Sequence, residues 1–173
     1  MKTVRWKIGL LCIAALSGAV WLSVHATPNA DKLTGTWQLV TSRDLKTGTV
    51  TESKGTTWIM FTQSHWAVLG MDAGRKVIAP EEFDKLSPEE KVKANYARVW
   101  DEKGGQLFQA RSGSYKLVGD KLHHTATIAL QTNIIGIDRV LRIIRLDKST
   151  LVAQTEYPDV PNLKSELTFR RLD

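Results

Sequence analysis

One cysteine, Cys12, stands in the whole chain of 173 residues, and it lies within the first apolar run. That scarcity excludes a disulfide framework, a thiolate metal site and a thiol nucleophile from everything downstream of that run. Histidine is also sparse, with His25, His65, His123 and His124 the complete set. No nucleophile elbow, paired-carboxylate spacing or phosphate-cradling glycine loop is present. No internal repeat or low-complexity tract appears, and no Lys/Arg run is interleaved with aromatics, so nucleic acid is not an expected partner.

What is there begins with an export signal. Lys2, Arg5 and Lys7 form a positive head, and Ile8 to Val24 is a 17-residue stretch without charge. It closes on Val24-His25-Ala26, a small-x-small pattern that predicts cleavage after Ala26 and a new N-terminus at Thr27. A retained membrane anchor is the competing reading, since ~17–25 residues span a bilayer. Acylation of Cys12 is disfavoured by its place inside the run and by bulky Leu11 before it. The expected organisation is a signal peptide over 1–26 and one domain over 27–173, periplasmic or extracellular, with the membrane met only through the signal segment. Three of the 24 Lys and Arg lie in the signal, which leaves 21 against 18 acidic residues. The working protein is therefore far less basic than the pI of about 9.5 suggests.

The rest of the chain is punctuated as an all-β protein. Turn clusters at 46–48, 72–74, 103–105, 119–120, 147–149 and 158–161 separate runs rich in Val, Ile, Thr, Leu and aromatics. The spacing predicts about eight strands, near 35–43, 56–62, 64–71, 106–118, 121–130, 138–147, 150–157 and 164–172. Closure into a small antiparallel up-and-down barrel would remove the exposed edges of such a meander. One helix interrupts it: Ser87-Pro88-Glu89-Glu90 has a capping serine, proline at the first helical position and glutamate at the third. Val92, Tyr96 and Val99 follow at helical spacing, and the helix is expected to cover the barrel, with Tyr96 and Trp100 packed on its wall. A lid over the mouth is the alternative.

Two registers locate the candidate site. Gly119-Asp120 is a tight-turn pair, which sets Leu117 opposite Leu122 and Tyr115 opposite His124. Alternation then directs Tyr115, Leu117, Leu122, His124, Ala126, Ile128 and Leu130 inward and His123 outward. Adjacent His123 and His124 face opposite ways, so they cannot share a metal, and no metal or cofactor is expected. If Lys148-Ser149 is a second such loop, Arg142 pairs with Thr155 and points inward; a one-residue slip would instead turn Arg139, Leu141, Ile143 and Arg145 inward. Tyr115, His124 and Arg142 would make a polar floor in an apolar cup, with Trp58 and Trp66 as aromatic wall.

Gly35-Thr36-Trp37 on the first strand, and Phe169-Arg170-Arg171 on the last, resemble the lipocalin-like members of the calycin superfamily, in their bacterial secreted form. Leu122-His123-His124 followed by Gly136 and Arg139, and Gly113-Ser114-Tyr115 before the hairpin, extend that resemblance over most of 33–172. It implies that Trp37 plugs the closed end and that Arg171, with Arg170 as the reserve, stacks over it. It also implies a carrier of a small hydrophobic or amphipathic molecule. Two alternatives stand beside it: a small-barrel acid–base enzyme of the isomerase or hydratase type using Tyr115, His124 and Arg142, and an interaction module with a filled core. The haem-binding motifs of related barrels do not match. Ligand identity and oligomeric state are not legible.

Overall fold

A computed structural model describes residues 30–75, 77–101 and 106–173. The signal segment and its cleavage site lie outside the described residues. Among the described residues nine strands form one sheet: β1 (Gly35–Asp44), β2 (Val50–Glu52), β3 (Thr56–Phe61), β4 (His65–Met71), β5 (Phe108–Val118), β6 (Lys121–Ala129), β7 (Asp138–Leu146), β8 (Thr150–Glu156) and β9 (Ser165–Arg171). From β3 to β9 each strand pairs antiparallel with the next, and β1 pairs antiparallel with both β3 and β9, so β1 and β3–β9 close an eight-stranded barrel. The short β2 is an extra strand on the outer half of β1, with Thr41 opposite Glu52 and Arg43 opposite Val50.

The two ends of the barrel differ. At one end the strands are joined by tight turns at 62–64, 119–120 and 147–149; at the other the connections are long, running through 72–107, 130–137 and 157–164. Gly119 adopts φ +61°, a conformation that glycine supplies without steric cost, and the hairpin it makes has Leu117 opposite Leu122 and Tyr115 opposite His124, as the sequence predicts. The four-residue helix α1 (Ala30–Leu33) seals the tight-turn end, its Leu33 fully buried against the barrel. The core lies along the barrel axis and includes Trp37, Phe61, Leu122, Leu151 and Phe169.

Three bulges shift the expected faces. On β6, Gly113 of β5 faces Ala126 and Ser112 faces Ile128, so Thr127 is the extra residue. The alternation changes sense there. Ile128 turns outward, 70% exposed, and Leu130 is exposed too, contrary to the inward placement expected for both. On β7, Ile143 faces Ala153 and Arg145 faces Val152, which leaves Ile144 unpaired. Leu146 still faces Leu151 as expected, but beyond the bulge the register moves by one, and Arg142 faces Gln154 in place of Thr155. Leu141 and Ile143 are therefore the buried residues, and Arg142 points out. The third bulge, at Val40, separates Leu39–Phe169 from Thr41–Thr168.

The long 72–107 connection carries α2 (Pro80–Asp84), which the sequence reading did not anticipate, and α3 (Pro88–Ala97). The cap of α3 is the expected one: Ser87 Oγ accepts from the Glu90 amide, and the Ser87 amide donates to the Glu90 carboxylate at 2.8 Å. Its packing is different. Val92 and Tyr96 are 69% and 61% exposed, so Tyr96 is not seated on the wall. Half-buried Trp100 is held instead by a bridge to Gln106.

Candidate functional site

The sealed end is built first by the backbone. Gly35 has φ +131°, and a Cβ there would come within 2.7 Å of Arg171 Nη1, so glycine is what lets that guanidinium lie across the start of β1. Arg171 stacks 4.3 Å over the Trp37 ring. It donates from Nη1 to the Thr34 carbonyl at 2.9 Å and from Nη2 to the Lys32 carbonyl. Trp37, 0% exposed, donates its own Nε1–H to the Leu33 carbonyl at 2.8 Å. Arg170 points away and donates to Gln38.

The site is the end of an antiparallel eight-stranded barrel, plugged by a tryptophan under a C-terminal arginine. The barrel is lipocalin-like. No family model matches the chain, and no curated protein matches it. Solved structures similar to it include a lipocalin-like protein from Bacteroides uniformis, 16% identical with a TM-score of 0.47, covering 82% of this chain and 99% of that one. An uncharacterized protein from Bacteroides eggerthii is 15% identical, TM-score 0.43, over 81% and 99% of the two chains. A designed fluorescence-activating β-barrel is 11% identical, TM-score 0.40, over 83% and 96%. The assignment rests on this chain's own strand order and stack.

Within the lipocalin-like barrel, the five predicted wall and floor residues go to different places. His124 is inward and buried, with its ring edge-on to Trp66 at 4.8 Å and to Tyr157 at 6.0 Å. Trp66 is buried as well, its Nε1–H donating to the Ser114 carbonyl at 3.0 Å. Tyr115 packs edge-on to Phe61 and gives its hydroxyl hydrogen to the Thr62 carbonyl at 2.7 Å, at the sealed end. Trp58 faces outward, 40% exposed, because Ile59 and Phe61 take the inner face of β3. Arg142 sits on the outer wall, its Nε 2.9 Å from Asp120 Oδ2. Tyr115 and His124 stand opposite each other on β5 and β6, but Arg142 is outside the barrel, so the three-residue acid–base cluster is not assembled. His123 is outward, 2.9 Å from Asp138.

Two arginines that stand elsewhere in the sequence fill the inner position. Arg139 of β7 and Arg111 of β5 line, with Trp66, His124, Ala126, Ile134 and Ile137, a void too narrow to admit a water molecule. Arg139 makes a two-pronged ion pair with Asp159, with Nε 3.0 Å from Oδ1 and Nη2 against Oδ2, and lies 4.8 Å over the Tyr157 ring. Arg111 makes no hydrogen bond or ion pair among the described residues, and its Nε is buried without a partner, as is His124 Nε2. Burial, joined by the charges of Arg111 and Arg139, pushes His124 down from 6.5 to about 3, so its imidazole is neutral. Burial also lowers the Arg111 guanidinium and raises the Tyr157 phenol.

Parity with Tyr115 would have found Arg111: positions 111, 113 and 115 of β5 share the inner face, opposite Val68 and Trp66 of β4. Toward the open end the next inward pair is Gln109 and Gly70, and the Gln109 side chain lies over the glycine. There a cleft of about 310 Å³ begins, lined by Leu39, Thr57, Gly70, Leu107 and Gln109 and rimmed by Glu52, Lys54 and Asp72. It opens where β2 ends and the 72–107 connection leaves the sheet.

Proposed function

We propose that the protein is an exported lipocalin-like carrier that takes a small hydrophobic or amphipathic molecule through the open end of the barrel. The observation that carries this reading is the cleft of about 310 Å³, set on inward residues of a barrel whose other end is plugged. Its volume lies at the lower end of the range for small-molecule sites, and its lining mixes apolar Leu39 and Leu107 with polar Thr57 and Gln109. Export follows from the basic head, apolar run and small-x-small end of residues 1–26.

The test is mass spectrometry under native and denaturing conditions on protein purified after expression of the full-length chain. The expected result is a mass beginning at Thr27 and a non-covalent adduct present only under native conditions. Thr57→Trp, which fills the cleft from its wall, is expected to lose the adduct while keeping the fold. An adduct unaffected by that substitution would remove the cleft from the reading, and a mass that retains residues 1–26 would remove cleavage.

A further inference from the structure

Arg111 poses a problem that the fold leaves open. Arg111 is half-buried with its Nε enclosed and without a partner, and a guanidinium drawn even partly out of water is costly unless paired and hydrogen-bonded. Among the described residues the inner cluster contains two guanidinium groups, Arg111 and Arg139, and one carboxylate within bonding distance of either, Asp159, which is committed to Arg139. Neutral His124 adds no compensating charge, and Tyr157 is held in its protonated form. The cluster is left with one positive charge in excess, on the arginine that has no bonded partner among the described residues.

We propose that the molecule carried by the barrel is an organic anion whose negative group is received by Arg111, with its apolar body in the cleft at the open end. The proposal rests on the carrier reading above and narrows it to one class of ligand. Arg111 is one inward position below Gln109 on β5, and Gln109 lines the cleft. The ligand's acid group reaches the guanidinium by moving the Gln109 side chain, which is flexible, whereas the strand is not. A carboxylate, sulfonate or similar oxyanion accepts two parallel N–H bonds from a guanidinium, which a neutral polar group of the same size does not match. Asp159 occupies the equivalent place on Arg139 and is an internal anion that lowers the attraction of the site for a second one. The inward charge therefore belongs to Arg111, not to Arg142, whose guanidinium is outside the barrel and satisfied by Asp120.

Two fluorescent probes of nearly the same shape separate charge from hydrophobicity: 8-anilinonaphthalene-1-sulfonate, an anion, and N-phenyl-1-naphthylamine, which lacks the sulfonate. Titrated into the purified protein, the anion is expected to bind at least about tenfold tighter, the discrimination a single charge-assisted bond supplies. Arg111→Met is expected to abolish that preference while leaving the neutral probe within about twofold, and Asp159→Asn to tighten the anion severalfold. Because Arg111→Met also removes a half-buried cation with no bonded partner among the described residues, the unliganded variant is expected to melt no lower than the parent protein. Trp58→Ser serves as control for probe adsorbed on the outer wall and is expected to change neither affinity. Equal binding of the two probes, or an anion affinity unchanged in Arg111→Met, overturns the anion assignment and leaves the carrier reading in place. Binding of neither probe overturns both.

Discussion

His124 shows how much a single position decides. Its side chain is buried in the neutral form, and protonation would put a third positive charge beside Arg111 and Arg139. Its folded-state value of about 3 lies below the ordinary 6.5, so its contribution to stability is whole above pH 6.5 and is lost as the pH falls toward 3. The expected outcome is a stability that declines below pH 6.5 at up to about 1.4 kcal/mol per pH unit. His124→Phe, which keeps a ring against Trp66 and Tyr157 and cannot titrate, flattens that decline between pH 6.5 and 4.5. Urea melts of both proteins across this window measure it; parallel curves would show that His124 is not the proton acceptor. The same low basicity makes His124 a weak general base at neutral pH, and Tyr115, its partner across the β5–β6 pairing, has its hydroxyl hydrogen committed to the Thr62 carbonyl.

Among the elements, α3 is specified by its own ends and little else. Its capping box is complete, Lys93 and Glu89 pair along the exposed face at 2.8 Å, and none of its residues is buried. Ser87→Ala is therefore expected to cost about 0.5–2 kcal/mol, and to cost it locally. Amide exchange should quicken over 91–97 while the melting of the barrel stays where it was; a matching fall in the global transition would show that α3 is part of the barrel's cooperative unit. Helix and hairpin signals of this kind are local, and for that reason they were legible. The Ser87 cap and the Gly119-Asp120 turn each depend on a few adjacent residues, and both are found as read. The bulges at Thr127 and Ile144 have no such local signature. A bulge is a tertiary accommodation, an extra residue that lets a strand bend around a barrel, and period-two alternation passes over it. That is why His124, three residues before one bulge, was placed correctly, and why Ile128, just beyond it, and Arg142, across the other bulge from its turn, were not. Arg111 was legible in principle, since no bulged residue of β5 separates it from Tyr115.

At the scale of the molecule, the barrel is held shut by the pairing of β1 with β9. β1 and β9 are the first and last strands, and their pairing is what turns an open sheet into a closed one. Arg171 adds to that seam by gripping Trp37 of β1 and the carbonyls of Lys32 and Thr34 before it. Arg171→Ala is expected to lower global stability by about 2–4 kcal/mol, from one cation–π contact and two charge-assisted bonds lost together. Arg171→Lys should recover only part of this, because an ammonium cannot both stack and reach two carbonyls. Thermal and chemical denaturation of the two variants give the comparison, and equal losses in both would mean that the guanidinium's shape is irrelevant.

The seam has a further consequence. The backbone leaves the barrel at the plugged end on both sides, with the Thr36 amide bonded to the Asp173 carboxylate at 2.9 Å and Ala30 beginning the helix beside it. Ala30 and Asp173 thus stand together at the plugged end, on the side of the barrel away from the cleft. The two ends of the barrel are therefore divided between tasks: one gathers the first and last strands into a seam, and the other is left clear of it, with the cleft between β2 and the start of the 72–107 connection.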